Sequence, residues 1–135
     1  MSIEAYISAQ PPERQPLLKA LHQAVIDNDK TVNATVGLMM GKEMILYNAP
    51  GTFKYGLASV KQYMSLHVLP IYGSPVLYEK YKALMPRAAF QKGCINFKSE
   101  DEMPLDIATA LIRDCSPIDL AKIREEYLKS RKKQK

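Results

Sequence analysis

The chain has no tryptophan, only two cysteines and two histidines, and no apolar run longer than a few residues. Each shortage excludes something. Cys94 and Cys115 stand 21 residues apart with no CxxC and no histidine at metal-ligand spacing, so neither a disulfide framework nor a zinc site is expected. A spanning helix needs about 20 apolar residues, and none of the runs approaches that. The start, MSIEAYISAQPP, lacks a basic segment followed by an apolar one, so no signal peptide is expected and free thiols in a cytoplasmic setting are. The six glycines match neither a P-loop nor GxGxxG, which leaves no dedicated nucleotide cradle.

An excess of charge is also missing where it would matter. The net charge is +5, but five of the 19 basic residues lie in the last seven, KSRKKQK, leaving 14 against 14 acidic in residues 1–128. A nucleic-acid surface carries its cations on the fold, because affinity grows with the number of phosphates neutralised. Any such contact is therefore confined to the basic tail, 129–135, whose plainer role is a solvated helix end with cations at the negative end of the dipole.

What the chain does have is the material of one domain. At 135 residues, 47% hydrophobic and 24% charged, residues 1–128 can bury a sizeable core without a metal or disulfide staple. Ser2 is placed to cap a short helix over IEAYISAQ, ended by Pro11 and Pro12. A second helix, about 13–29, gathers Leu17, Leu18, Leu21, Ala24 and Val25 on one stripe, with Pro16 tolerable only in the first turn.

The period then changes to two. EMILYNA, TFKYGLA and KQYMSLHVL predict three strands of an antiparallel meander, with VGLMM as a fourth. Alternation puts Met64, Leu66 and Val68 toward the core and Tyr63, Ser65 and His67 on the opposite face. A helix capped by Ser74 and started by Pro75 follows, with Leu77, Tyr81 and Leu84 as its stripe. GCINFK predicts a strand with Ile95 and Phe97 inward and Cys94, Asn96 and Lys98 outward. A helix from Pro104 to Asp114 buries Leu105, Ala108, Leu111 and Ile112, and a last one, capped at Ser116, carries Leu120, Ile123 and Tyr127.

Three stretches, IEAYISAQPPERQPLLKALHQAV, KQYMSLHVLPIYG and QKGCINFKSEDEMPLDIATALI, together resemble the corresponding stretches of the YdhG-like domains, a bacterial family largely of unknown function. The resemblance spans most of residues 3–112 and implies a single-domain α+β fold with a curved, mainly antiparallel sheet packed by helices. It implies no catalytic residues. Some relatives are described as frataxin-like iron chaperones that bind iron weakly through carboxylates. Residues 36–51, VGLMMGKEMILYNAPG, depart from the family's glycine-methionine-proline-aromatic turn.

Candidate chemistry is weighed against plainer roles. Glu100, Asp101 and Glu102 are consecutive, so their side chains diverge; with Asp106 they suit the positive end of the helix that starts near Pro104. The metal set Glu100, Asp101, Glu102 and Asp106 is the alternative, with iron as its ion. Cys94 has Lys92 nearby but no base assignable from sequence, so an inert thiol is expected, as for Cys115 in an interhelix turn. Ser65 and His67 share a face about 7 Å apart with no third orienting group, which is not a catalytic pair. His22 is expected on the flank of a helix stripe, as a boundary residue rather than a ligand, and Met39, Met40 and Met44 as core filler or an adaptable apolar surface.

The expectation for function is collective. Tyr63, Ser65, His67, Asn96 and Lys98 on an open sheet face make a ligand-binding surface for a small polar molecule or a protein partner. The leading reading is a non-enzymatic cytoplasmic binding module without cofactor and without membrane attachment; a homo-oligomer is compatible with it. Weak iron binding is the alternative. An enzyme ranks third and requires a concave pocket that brings His67 to a second polar group.

Overall fold

Two turns with left-handed backbone launch the sheet. The computed structural model describes residues 2–91 and 93–133, and the side chains of 130–133 lie outside that description. Ser2 accepts from the Ala5 N–H and starts α1, Ile3–Ser8, two residues shorter than the apolar pattern predicted. The next helix, α2, Gln15–Asn28, places Pro16 in its first turn, where the missing N–H costs nothing. It is followed by β1, Asn33–Met39, and β2, Lys42–Ala49. They are joined by Met40 and Gly41 at φ 52° and 78°, positive at both centres as a two-residue hairpin of type I′ requires. Pro50 and then Gly51, at φ 81°, lead into β3, Thr52–Ser59.

The chain continues through β4, Met64–Val68; a one-turn α3, Leu69–Tyr72; α4, Pro75–Leu84; β5, Ala89–Gln91; β6, Cys94–Phe97; α5, Leu105–Cys115; and α6, Leu120–Lys133. All six strands are antiparallel to their neighbours, in the order β1-β2-β3-β4-β6-β5. This is the expected α+β domain with an open antiparallel sheet.

Burial follows the alternation on the helix side. Ile45, Tyr47, Tyr55, Leu57, Met64, Leu66, Val68, Ile95 and Phe97 join Leu17, Leu18, Leu21 and Val25 of α2 and Ala108, Leu111 and Ile112 of α5 in one core. A side chain of this kind contributes about 1.5–3 kcal/mol when fully buried. Tyr6 fastens α1 to the sheet: its hydroxyl accepts from the Ser59 N–H at 3.0 Å and lies 3.3 Å from the Glu43 carbonyl, to which it donates.

Several expectations are corrected. Leu84 is exposed, and Met85, one residue later, fills the core instead. Ser116 does not cap the last helix; Asp119 does, accepting from the Lys122 N–H at 3.0 Å. Ile123 and Tyr127 are exposed rather than buried; α6 borders the sheet near its start, where Ala121 and Lys122 line one pocket with Pro50 and Lys54. The short β5 and α3 carry too few residues to show a period.

Lys54 was expected on an ordinary strand and is instead sealed inside. Tyr47 pairs with Tyr55 while its neighbour Asn48 pairs with Phe53, so Lys54 is the extra residue of a β-bulge. The bulge turns it toward Asp29, with Nζ 2.8 Å from Oδ2 and further bonds to the Ser116 carbonyl and the Thr31 hydroxyl. Phe53 is thrown to the other face, against Gly56.

Candidate functional site: the concave face of the sheet

The helix-free face is built from the outward positions of six strands, and the middle ones are small. Gly56 and Ala58 of β3 pair directly with His67 and Ser65 of β4, which pair in turn with Cys94 and Asn96 of β6. Larger side chains surround them: Met39, Met40, Lys42 and Met44 from the first hairpin, Val60 and Tyr63 from the β3–β4 turn, and Gln91 from β5. Together they line a concavity of about 280 Å³. In a flat sheet β1 and β5 would stand roughly 24 Å apart, five strand spacings, so lining shared by Met39 and Gln91 reflects the sheet's curl.

Arg14 holds the lip of this concavity. Its Nη1 donates to the Ser59 hydroxyl at 2.9 Å and to the Val60 and Tyr63 carbonyls at 2.5 and 3.3 Å, and Nη2 donates to the Lys61 carbonyl at 3.3 Å. Four bonds from one guanidinium fix the turn that presents Tyr63.

Ser65 is the floor. It is only 5% exposed, so this member of the expected surface is not solvated. Ala58 and Asn96 flank it on the neighbouring strands, which is what shelters it. Its hydroxyl nevertheless has no hydrogen-bond partner among the described residues, and no buried side-chain oxygen or nitrogen is sealed without one, so Oγ keeps its access to the concavity. The Asn96 amide and the Tyr63 hydroxyl, both half-buried, likewise have no side-chain partner among the described residues.

Cross-strand register also makes a pair that the sequence did not reveal. His67 Nδ1 lies 3.0 Å from Cys94 Sγ. The expectation of a thiol without a base is therefore corrected: the base sits 27 positions earlier in the chain and directly opposite in the sheet. Burial pushes the Cys94 thiol above its ordinary value. The His67 imidazole is held below its own by burial first and by the Lys42 cation second. A neutral thiol thus meets a neutral imidazole, and no third group orients the ring among the described residues.

Lys98 does not join the site. It follows the end of β6, is exposed, and its backbone N–H donates to the Glu102 carboxylate at 2.9 Å. Lys92 lies outside the described residues. Cys115 is fully buried and its thiol is pushed up to about 12, chiefly by burial, as an inert core residue. His22, half-buried midway along α2, meets the Tyr47 hydroxyl at 2.7 Å.

The acidic turn is partly engaged. Glu102 caps Lys98, and Asp101 pairs with Arg87 on the surface. Glu100, Asp101 and Asp106 border one shallow depression. Among the described residues no three His, Cys, Asp or Glu side chains are grouped to hold a metal ion. No described helix is long and apolar enough to cross a membrane. Comparison with family models, curated proteins and solved structures finds no match to this chain.

Proposed function

We propose that the protein is a non-enzymatic binding module of the YdhG-like kind, acting in the cytoplasm, whose site is the concave sheet face. The observation that carries this reading is Ser65: a residue 5% exposed whose hydroxyl has no partner among the described residues, lining a 280 Å³ concavity. Its Oγ is reached from the concavity, so the hydroxyl is open to water and to any ligand that enters. A ligand polar group that takes the place of that water gains a hydrogen bond in a sheltered setting.

The volume is close to the lower end of ligand clefts, about 300 Å³, which suits a small molecule rather than a peptide. Ser65 and Asn96 offer hydroxyl and amide contacts at one side, and Met39, Met44 and Val60 offer an apolar wall at the other. Binding ranks ahead of catalysis because the Cys94–His67 pair is neutral and, among the described residues, no further group orients the ring.

The test is a chemical-shift screen of small acids, amides and polyols against the reduced protein and its Ser65→Phe variant. Hits should move the amides of residues 56–58, 65–67 and 94–96, and S65F should abolish them. Hits that persist in S65F or map elsewhere overturn the reading.

An iron-handling role is the second reading, and it rests on Glu100, Asp101 and Asp106 bordering one depression. Ferrous iron titrated calorimetrically into the wild type and into an alanine triple variant of those residues decides it. Heat present in the first and lost in the second supports iron; no heat in the wild type removes it.

A further inference from the structure

The hairpin methionines and the Cys94–His67 pair open on one concavity whose lining contains no carboxylate. Met44 is placed beside the pair through Gly56. A Cβ on Gly56 would stand 3.1 Å from Met44 Sδ, and Gly56 is the direct partner of His67 in the β3–β4 register. The Phe53 ring and the Met44 thioether share the space over Gly56, next to His67, whose ring meets the Cys94 thiol, so thioether, imidazole and thiol line one side of the same concavity.

The chemistry of this donor set is selective. Hard cations such as calcium, magnesium and ferrous iron favour oxygen ligands and negative charge, and the lining supplies neither a carboxylate nor any anion except the thiolate that Cys94 would become. Lys42 on the rim opposes a divalent ion further. One thiolate on one monovalent ion is neutral overall. Thiolate and thioether sulfur with imidazole nitrogen is the combination that soft Cu(I) takes.

We propose that the Cys94 side of the concavity binds a single Cu(I) ion through Cys94 Sγ and His67 Nδ1, with Met44 Sδ as third donor. This rests on the reading of the concave face as a binding site and names one class of ligand for it. Binding releases the thiol proton to solvent. Metal bonds to sulfur and nitrogen of about 2.3 and 2.0 Å need the two atoms farther apart than their present 3.0 Å, so loading swings the half-buried His67 ring outward.

The test uses the full-length reduced chain under anaerobic conditions, with Cu(I) delivered from bathocuproine disulfonate as competing chelator. The wild type should take one equivalent, and Cys115→Ser should match it, since that thiol is sealed in the core. C94S should lose the site. H67Q should weaken it at least as much as an outer-shell loss does, about 10–100-fold. M44L, a swap that keeps volume, should weaken it by a smaller factor, and the Met44 methyl resonance should shift when silver(I) replaces copper.

Equal affinity in wild type, H67Q and M44L means a bare thiol is the only ligand and overturns the inference. So does full binding by C94S. If H67Q does not fold, M44L and the methyl shift decide alone. Small-molecule shifts around Ser65 and Asn96 that survive without copper affinity sink this inference but leave the binding-module reading standing; loss of both removes the two together.

Discussion

Asp29 and Lys54 meet at 2.8 Å with both side chains closed to solvent, an ion pair inside the core of a domain whose candidate site is on the other side of the sheet. Tyr55 and Thr31 complete the carboxylate's bonds, and the Ser116 carbonyl takes part of the ammonium. The pair ties the end of α2 to the β3 bulge and the end of α5. Replacing Lys54 by methionine strands the carboxylate and should cost about 3–5 kcal/mol in urea unfolding. D29N combined with K54M should recover much of that loss; a K54M cost below 1 kcal/mol would contradict a tightly coupled pair.

Acid should act on this domain in two windows. Burial alone would raise the Asp29 carboxyl, but its bonds to Lys54, Thr31 and Tyr55 outweigh that and hold it below 3.8. Its stabilisation is present in full above that value and is lost as pH falls through the folded one. His22 and His67 are both held below 6.5, by burial first. Their neutral forms favour the fold above about 6.5, and stability should decline as pH falls from there through the folded values. Urea midpoints between pH 7.5 and 5 should therefore slope downward, and H67Q should flatten part of that slope while leaving the His22 share.

Ser65→Ala removes a hydroxyl that bonds to no described residue. It should leave stability unchanged or raise it by up to about 1 kcal/mol. The same substitution should weaken any ligand that reaches the floor, a division between stability and binding that a purely structural serine would not show. A clear drop in the unfolding midpoint would instead reveal a hydrogen bond to the protein.

The acidic turn should behave as a cap and a surface pair. Glu102→Ala removes the acceptor for the Lys98 N–H and should cost about 1 kcal/mol, as other capping losses do. Asp101→Ala removes only a pair in which both side chains are 67% exposed, worth about 0–1 kcal/mol. Chemical denaturation of the two variants should rank E102A as the less stable; the reverse order would point to a further role for Asp101.

Met40 occupies φ 52° and is 78% exposed at the tip of the first hairpin. Asparagine accepts that conformation far better, so Met40→Asn should stabilise the domain by about 0.5–1 kcal/mol. Thermal unfolding of M40N checks this, and a lower midpoint would mean that the methionine side chain packs against the concavity.

Much of the architecture was legible because its signals are local. The Ser2 and Ser74 caps, the Pro16 and Pro75 helix starts and the alternation in MSLHV each act within a few residues, and the structure keeps them. Tyr63, Ser65, His67 and Asn96 were placed on the open face by period alone. Lys98 was placed there by the same period but does not join them, because the strand stops at Phe97 and alternation has no meaning beyond its end. The exposed side of α6 misled for a related reason: Ile123 and Tyr127 make an apolar stripe, and whether a stripe is covered depends on what lies beside it.

The amino-acid order by itself determined which residues turn, which extend, and which side of each strand is apolar, since these depend on backbone sterics and the two-residue pleat. Tertiary structure alone decided that a bulge sends Lys54 inward to Asp29, that Ser65 is sheltered, and that Cys94 stands opposite His67. Those outcomes depend on strand order and register, which bring together residues as far as 31 positions apart, and no local pattern encodes a distance between strands.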